Sequence, residues 1–186
     1  ELWRAACGVA RGLARKVAGR GPVLVLGPKS ALTVASFLGC LMSGHAYVPV
    51  DAELPARRVS DIAGQIEGAT MLATCEVPEA LRDVLPSGRV IDAAALLSAG
   101  PASGEPCAPL PREQWVSGEE TQYIIFTSGT TGRPKGIEVT ASNVTNFRRW
   151  LAGFPVVRDG GRVFLDQAHY SFDLSEYELV GELTTG

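Results

Sequence analysis

The sequence predicts an α/β fold in which a mostly parallel sheet carries helices on its faces. Three observations point there. Short apolar runs of strand length alternate with longer helical patterns. The helical patterns are punctuated by capping residues, prolines and glycines. The strand-like runs, VLVL above all, are apolar throughout, as strands covered on both faces are.

The chain opens on an amphipathic helix. Leu2, Val9, Leu13 and Val17 form its apolar side, and Arg4, Arg11, Arg15, Lys16 and Arg20 its solvated face. VLVL at 23–26 is a buried strand, and Ser30 caps the helix ALTVASFLGCLMSG, which ends at Gly44. AYVPV at 46–50 is the next extended run. Pro55 starts a helix through RRVSDIAGQIEGA, followed by the strand TMLAT at 70–74, a short helix near 79–84 and the strand RVI at 89–91. Four prolines between Pro101 and Pro111 mark a linker-like stretch over 101–118. It divides a first α/β subdomain over 1–100 from the start of a second over 119–186. The second contains the strand TQYIIFT, a glycine-rich loop, a helix from about Ser142 to Ala152, a strand RVFLDQ and a helix after SFDLS.

At 186 residues and 46% hydrophobic, the chain has material for a substantial core and corresponds to one domain or a large piece of one. Its net charge of −3 lacks the basic footprint of a nucleic-acid binder or a polybasic membrane anchor. No apolar run approaches the ~20 residues of a membrane span and no signal segment opens the chain, so a cytoplasmic location is expected. Cys7, Cys40, Cys75 and Cys107 lie more than thirty residues apart. Without the close pairs of a zinc site or a redox dithiol, they are expected as reduced thiols.

TSGTTGRPKG follows directly on the apolar run YIIF. Gly129, Gly132 and Gly136 give the backbone freedom to wrap an anion and present successive N–H groups to it. Thr127, Ser128, Thr130 and Thr131 add hydroxyls, and Lys135 adds a mobile ammonium. The set suits the phosphates of ATP. It is not the common P-loop, because Gly136 follows Lys135 where Ser or Thr is required. The plain alternative is a hairpin turn, which has no use for so many hydroxyls.

YIIFTSGTTGRPKG resembles the phosphate-loop signature of the adenylate-forming enzyme superfamily, which includes acyl-CoA synthetases, luciferases and peptide-synthetase adenylation domains. FLGCLMSGHAYVPVDAELPARRVSDI and FLDQAHYSFDLS narrow the resemblance to the D-alanine–D-alanyl carrier protein ligases, with peptide-synthetase adenylation domains close behind. The resemblance covers nearly the whole chain. It implies a layered αβαβα large domain, present here in part. It also implies ATP-dependent activation of an amino acid, D-alanine by preference, as aminoacyl-AMP with release of pyrophosphate. The activated group then passes to the phosphopantetheine thiol of a carrier protein. The resemblance places ATP phosphates at Thr127, Ser128, Gly129, Thr130, Thr131, Gly132 and Lys135, and the substrate's α-ammonium at Asp173.

The residues themselves support the role of Asp173. In HYSFDLSEYE it stands amid aromatic and apolar neighbours, where a carboxylate can hold an ammonium by a charge-assisted hydrogen bond. The alternative is a cap on the next helix, with Ser175 and Glu178 forming a capping box. His45, in the turn GHAY, is expected as a hydrogen-bonded helix-end residue. His169 stands where the D-alanine enzymes tend to have proline. Asp51 is expected to support a turn, and Trp3, Trp115 and Trp150 to pack.

The chain starts within a helical pattern at Glu1 and stops after GELTTG, as a piece of a longer protein does. The family's adenine-stacking aromatic segment, its Mg2+-associated glutamate, its ribose-binding aspartate and the lysine of its small C-terminal domain fall beyond Gly186. The fragment alone is therefore expected to be nearly inactive and, with apolar surface uncovered, to self-associate. No residue in it is expected to be catalytic or to hold metal. The alternatives are a peptide-synthetase adenylation domain for another amino acid, an acyl-CoA synthetase, or a non-catalytic nucleotide- or carrier-binding module.

Overall fold

The computed structural model describes residues 1–85, 89–98, 108–128, 133–158 and 160–185. Its strands are β1 (Val23–Leu26), β2 (Tyr47–Val50), β3 (Thr70–Ala73), β4 (Val90–Asp92), β5 (Thr121–Ser128) and β6 (Pro134–Thr140). They form one sheet in the order β4-β3-β1-β2-β5-β6, parallel throughout except for the antiparallel pair β5 and β6. The helices are α1 (Leu2–Lys16), α2 (Ala31–Met42), α3 (Ala56–Ala63), α4 (Ala93–Ser98), α5 (Ala141–Leu151), α6 (Pro155–Arg158) and α7 (Ser175–Thr185).

Successive strand side chains point to opposite faces, and both faces are covered. Val23, Val25, Tyr47, Leu72, Tyr123 and Ile125 pack beneath α1, α2, α4 and α7 through Leu13, Phe37, Leu96 and Leu179. Leu24, Leu26, Val48, Val50, Met71 and Ile124 pack against Val59, Ile62 and Ala63 of α3. The predicted parallel α/β sheet is therefore present, and the reason is the expected one: all four positions of β1, β2 and β3 are buried. Helix α2 starts where expected, with the Thr33 N–H donating to Ser30 Oγ at 3.2 Å. Helices α1 and α2 approach closely at Gly39, where a Cβ would stand 2.5 Å from Val9.

Several elements differ from expectation. Helix α3 stops at Ala63, before Gly64, and the chain continues through turns with Gln65 N–H bonded to the Ile62 carbonyl and Ile66 N–H to that of Ala63. The short helix near 79–84 is a single 3-10 turn at Glu79–Leu81. RVFLDQ forms no strand. Val163 is 97% and Leu165 78% exposed, and although Phe164 between them packs against Leu151, Val157 and Val180, no ladder partner holds the segment extended. Strand β6 lies inside the segment read as glycine loop and helix approach, and α4 and α6 lie in segments given no element.

The stretch 101–118 does not separate two sheets, because β5 pairs directly with β2 at Tyr47 and Tyr123. Its described part, from residue 108, is mostly exposed, with Leu110 and Trp115 packed against the protein. Trp115 rests on the buried cluster of Ala6, Cys7, Ala10 and Met42 and donates its indole N–H to the Leu110 carbonyl at 2.9 Å. Trp3 and Trp150, expected to pack, are more than half exposed. Cys7, Cys40 and Cys75 are free thiols, and burial pushes the Cys40 thiol far up; Cys107 lies outside the described residues. No helix among the described residues is long and apolar enough to cross a membrane.

Candidate functional site

The sheet order itself opens a crevice. From β2 the chain runs through α3 to β3 on one side, whereas from β5 it turns back into β6 on the other. Loops that diverge from adjacent parallel strands leave a gap outside their carboxyl ends, where open α/β sheets bind ligands. A cleft of about 860 Å³ lies there, lined by Asp51 and Glu53 after β2, Thr127 and Ser128 at the end of β5, and His169 and Asp173.

The glycine motif is divided between strand and loop. Thr127 and Ser128 end β5 and pair with Lys135 and Pro134 of β6, so the motif does close a hairpin. Gly129, Thr130, Thr131 and Gly132 lie outside the described residues. Lys135 is exposed, and it stands two and four residues from Ile137 and Val139, which line the cleft from the same face of the strand. Arg58 reaches from α3 into the cleft wall and donates to the Phe126 carbonyl at 2.9 Å.

Asp173 lies exposed in the turn before α7. Its carboxylate accepts no hydrogen bond among the described residues, while its backbone carbonyl accepts the Glu176 N–H at 3.1 Å. The alternative capping box is not formed. The Ser175 hydroxyl donates to the Phe172 carbonyl at 2.7 Å, and Glu178 accepts from the Ala168 N–H at 3.3 Å. Asp173 thus lines the cleft with its carboxylate uncommitted to the helix.

Asp51 does more than the turn role expected of it. Its carbonyl does accept the Leu54 N–H at 3.1 Å, but its carboxylate accepts the Ser171 hydroxyl and stands 3.9 Å from His169 Nδ1. His45 is the hydrogen-bonded residue expected, with Nδ1–H donating to the Gly21 carbonyl at 2.8 Å. Burial lowers its pKa, the Gly21 bond works against that shift, and the Arg20 charge reinforces it.

Glu176 was not anticipated. Only 6% exposed, it accepts a hydrogen bond from the Tyr47 hydroxyl at 2.8 Å. Burial pushes its pKa up to about 7, against the lowering effect of the Tyr47 bond. Burial likewise raises Tyr123, with the charges of Glu176 and Asp173 adding to it. A signal existed in the sequence: Glu176 stands three and four residues before Leu179 and Val180, on the buried side of α7. Glu176 and Asp173 share a smaller pocket of about 420 Å³ walled by Tyr123, Phe147, Trp150 and Tyr177.

A doubly covered, mostly parallel sheet with a cleft at its carboxyl edge places the chain in the class of open α/β folds that take ligands at that edge. The chain belongs to the AMP-binding enzyme family, whose model matches residues 1–186. It is 37% identical to a D-alanine–D-alanyl carrier protein ligase of Bacillus velezensis, over 100% of this chain and 36% of that protein. It is also 37% identical to the enzyme of that name from Bacillus licheniformis, over 89% of this chain and 31% of that protein. Among solved structures, the nonribosomal peptide synthetase FmoA3 in its alpha-methyl-L-serine-AMP bound form aligns with a TM-score of 0.81 at 29% identity, covering 100% of this chain and 19% of that one. The chain thus spans about a third of the length of the curated relatives it matches.

Proposed function

We propose that this chain is the phosphate-binding and amino-acid-anchoring part of an AMP-forming ligase. In this reading the enzyme joins an amino acid, D-alanine by preference, to AMP with release of pyrophosphate. The aminoacyl group then passes to the phosphopantetheine thiol of a carrier protein in the cytoplasm. The observation that carries the reading is the meeting of Asp173 with Thr127 and Ser128 in one cleft. The D-alanine ligase relatives support the choice of substrate.

The roles follow from the chemistry. Thr127, Ser128 and Lys135, with Gly129, Thr130, Thr131 and Gly132, hold the ATP phosphates through hydroxyl, backbone and ammonium donors. Asp173, with a carboxylate that accepts no hydrogen bond among the described residues, holds the α-ammonium. The cleft fits a cation near Asp51, Glu53 and Asp173, and three carboxylates there would repel a polyphosphate, so the phosphates belong at the hairpin end. Mg2+ ligands lie elsewhere in the protein. His169, lining the cleft, favours a second reading in which another amino acid is activated.

Pyrophosphate exchange in the natural full-length protein tests this. Removing Asp173 takes away the ammonium's charged partner while leaving the phosphate donors in place. Asp173→Ala therefore abolishes alanine-dependent exchange and leaves ATP binding intact, and propionate, which has no ammonium, supports little exchange in the parent. A different amino acid outperforming alanine selects the second reading. A lower melting temperature with alanine exchange unchanged returns Asp173 to a structural role.

A further inference from the structure

The segment from Asp166 to Glu176 carries Asp173, yet until α7 begins it has neither helix nor strand to hold it. What holds it is a set of side chains from the first half of the chain. Lys29 Nζ, just beyond β1, donates to the Asp166 carboxylate at 2.6 Å and to the Asp166 carbonyl at 2.8 Å. The same ammonium lies 5.4 Å from the centre of the Tyr170 ring, whose hydroxyl donates to the other Asp166 oxygen at 3.2 Å. The Tyr170 ring in turn stands edge-on to Phe37, with centroids 5.2 Å apart. Asp51, immediately after β2, accepts the Ser171 hydroxyl. Tyr47 donates to Glu176. The segment is thus pinned on both sides of Asp173, and the one carboxylate between the pins is left free among the described residues.

We propose that Lys29 and Asp51 are positioning residues, acting through Asp166 and Ser171, that fix the Asp173 carboxylate where an ammonium is to be held. The proposal rests on the amino-acid reading of Asp173. An anchor on an irregular segment is effective only when its backbone is held within a fraction of an ångström, and misplacement of a binding group costs up to a hundredfold. The Lys29–Asp166 pair suits that task better than a surface pair. Its side chains are 28% and 29% exposed, and the ammonium holds backbone and side chain of the same residue. Both positioning residues sit at the carboxyl ends of buried parallel strands, so the segment inherits their rigidity. Lys29 faces Asp166 and the Tyr170 ring together, and Glu182 lines the same pocket.

The test uses Lys29→Met, Lys29→Arg and Ser171→Ala in the natural full-length protein, with two readouts. Amide hydrogen exchange over residues 166–176 reports the pinning whatever the activity. We expect Lys29→Met and Ser171→Ala each to speed it roughly tenfold and Lys29→Arg to restore most of the protection. In pyrophosphate exchange, the KM for the amino acid rises roughly tenfold to a hundredfold in the first two variants, while the KM for ATP stays within about twofold. Should Lys29→Met fail to fold, Ser171→Ala and Lys29→Arg decide alone. Unchanged amide exchange in the folded variants overturns the pinning. Faster amide exchange with an unaltered amino-acid KM, or equal losses for ATP and amino acid, overturns the positioning role. A parent protein that activates no amino acid removes the functional reading and the positioning role with it, while amide exchange still judges the pinning.

Discussion

Residues 1–98 and residues 108–185 contribute to one sheet but reach order by different means. In the first region β1, β2 and β3 are buried along their whole length, and the two sheet faces are packed mainly by helices from the same region, with Leu179 of α7 added on one face. In the second region Trp150, Phe154, Val156, Val163, Leu165, Phe172 and Leu174 are all exposed. Its buried residues, among them Tyr123, Ile125, Leu151, Tyr170 and Leu179, are supplemented by polar bonds back to the first region, from Lys29, Tyr47, Asp51, Arg58 and Gln65. The first region is a scaffold with its own core. The second carries the candidate ligand groups, which are set by hydrogen bonds and charge. Division of labour of this kind is how binding residues on loops gain precision from a rigid sheet.

The largest expected effect tests the scaffold half of that contrast. Leu72 is fully buried in the interior strand β3 beneath α1, α2 and α4. Truncating such a residue removes its transfer free energy and leaves a cavity, at about 2–5 kcal/mol. Leu72→Ala in the 186-residue chain should therefore lower the unfolding free energy, read from denaturant titration, by that much. A loss below about 1 kcal/mol would mean that the first region does not hold the chain's stability in its core.

An intermediate effect tests the polar seam between the regions. Glu176 has its folded pKa raised from an ordinary 4.5 to about 7 by burial. The folded state then binds more protons than the unfolded state between those values, so stability is fully present below about 4.5 and is lost as pH rises through 7. The loss is on the order of 3 kcal/mol. His45 acts with the opposite sign, since its depressed pKa removes stability as pH falls below its usual range. The difference between parent and Glu176→Gln isolates the glutamate. Melting temperatures measured from pH 4 to 8 should show a decline in the parent, relative to Glu176→Gln, between pH 4.5 and 7. Parallel curves would show that the carboxylate is not desolvated at the seam.

The same contrast explains what could be read in the sequence. In residues 1–98 local patterns and tertiary burial agree: VLVL, Ser30 and TMLAT gave strand, cap and strand because each apolar position meets a covered face. The meeting of Thr127, Ser128 and Asp173 in one cleft agrees with residue chemistry and family resemblance, while their ligand roles are proposals. RVFLDQ misled, because of its apolar residues only Phe164 meets a buried cluster, and Asp166 is held by Lys29 from far along the chain. Glu176, Lys29 and Asp166 were invisible for the same reason, since a charge reveals its partner only once the topology has brought the two together. Strand β6 was hidden because its first residues, Pro134 to Gly136, belong to the motif read as loop.

The smallest expected effect on stability tests the other side of the contrast. Leu165 is 78% and Val163 97% exposed, so neither contributes a packed contact that a polar residue would remove. Substitutions at such sites change stability by no more than about 0.5 kcal/mol. Val163→Ser with Leu165→Ser in the 186-residue chain should therefore leave the unfolding midpoint nearly unchanged. Association should respond where stability does not, because contiguous exposed apolar residues are what draw one copy of a chain to another. Sedimentation of the double variant against the parent, across a range of protein concentrations, is expected to show less self-association at equal thermal stability. A loss of stability comparable to that of Leu72→Ala would show that the segment is buried in solution, and the division between a self-sufficient scaffold and a tethered second region would fail.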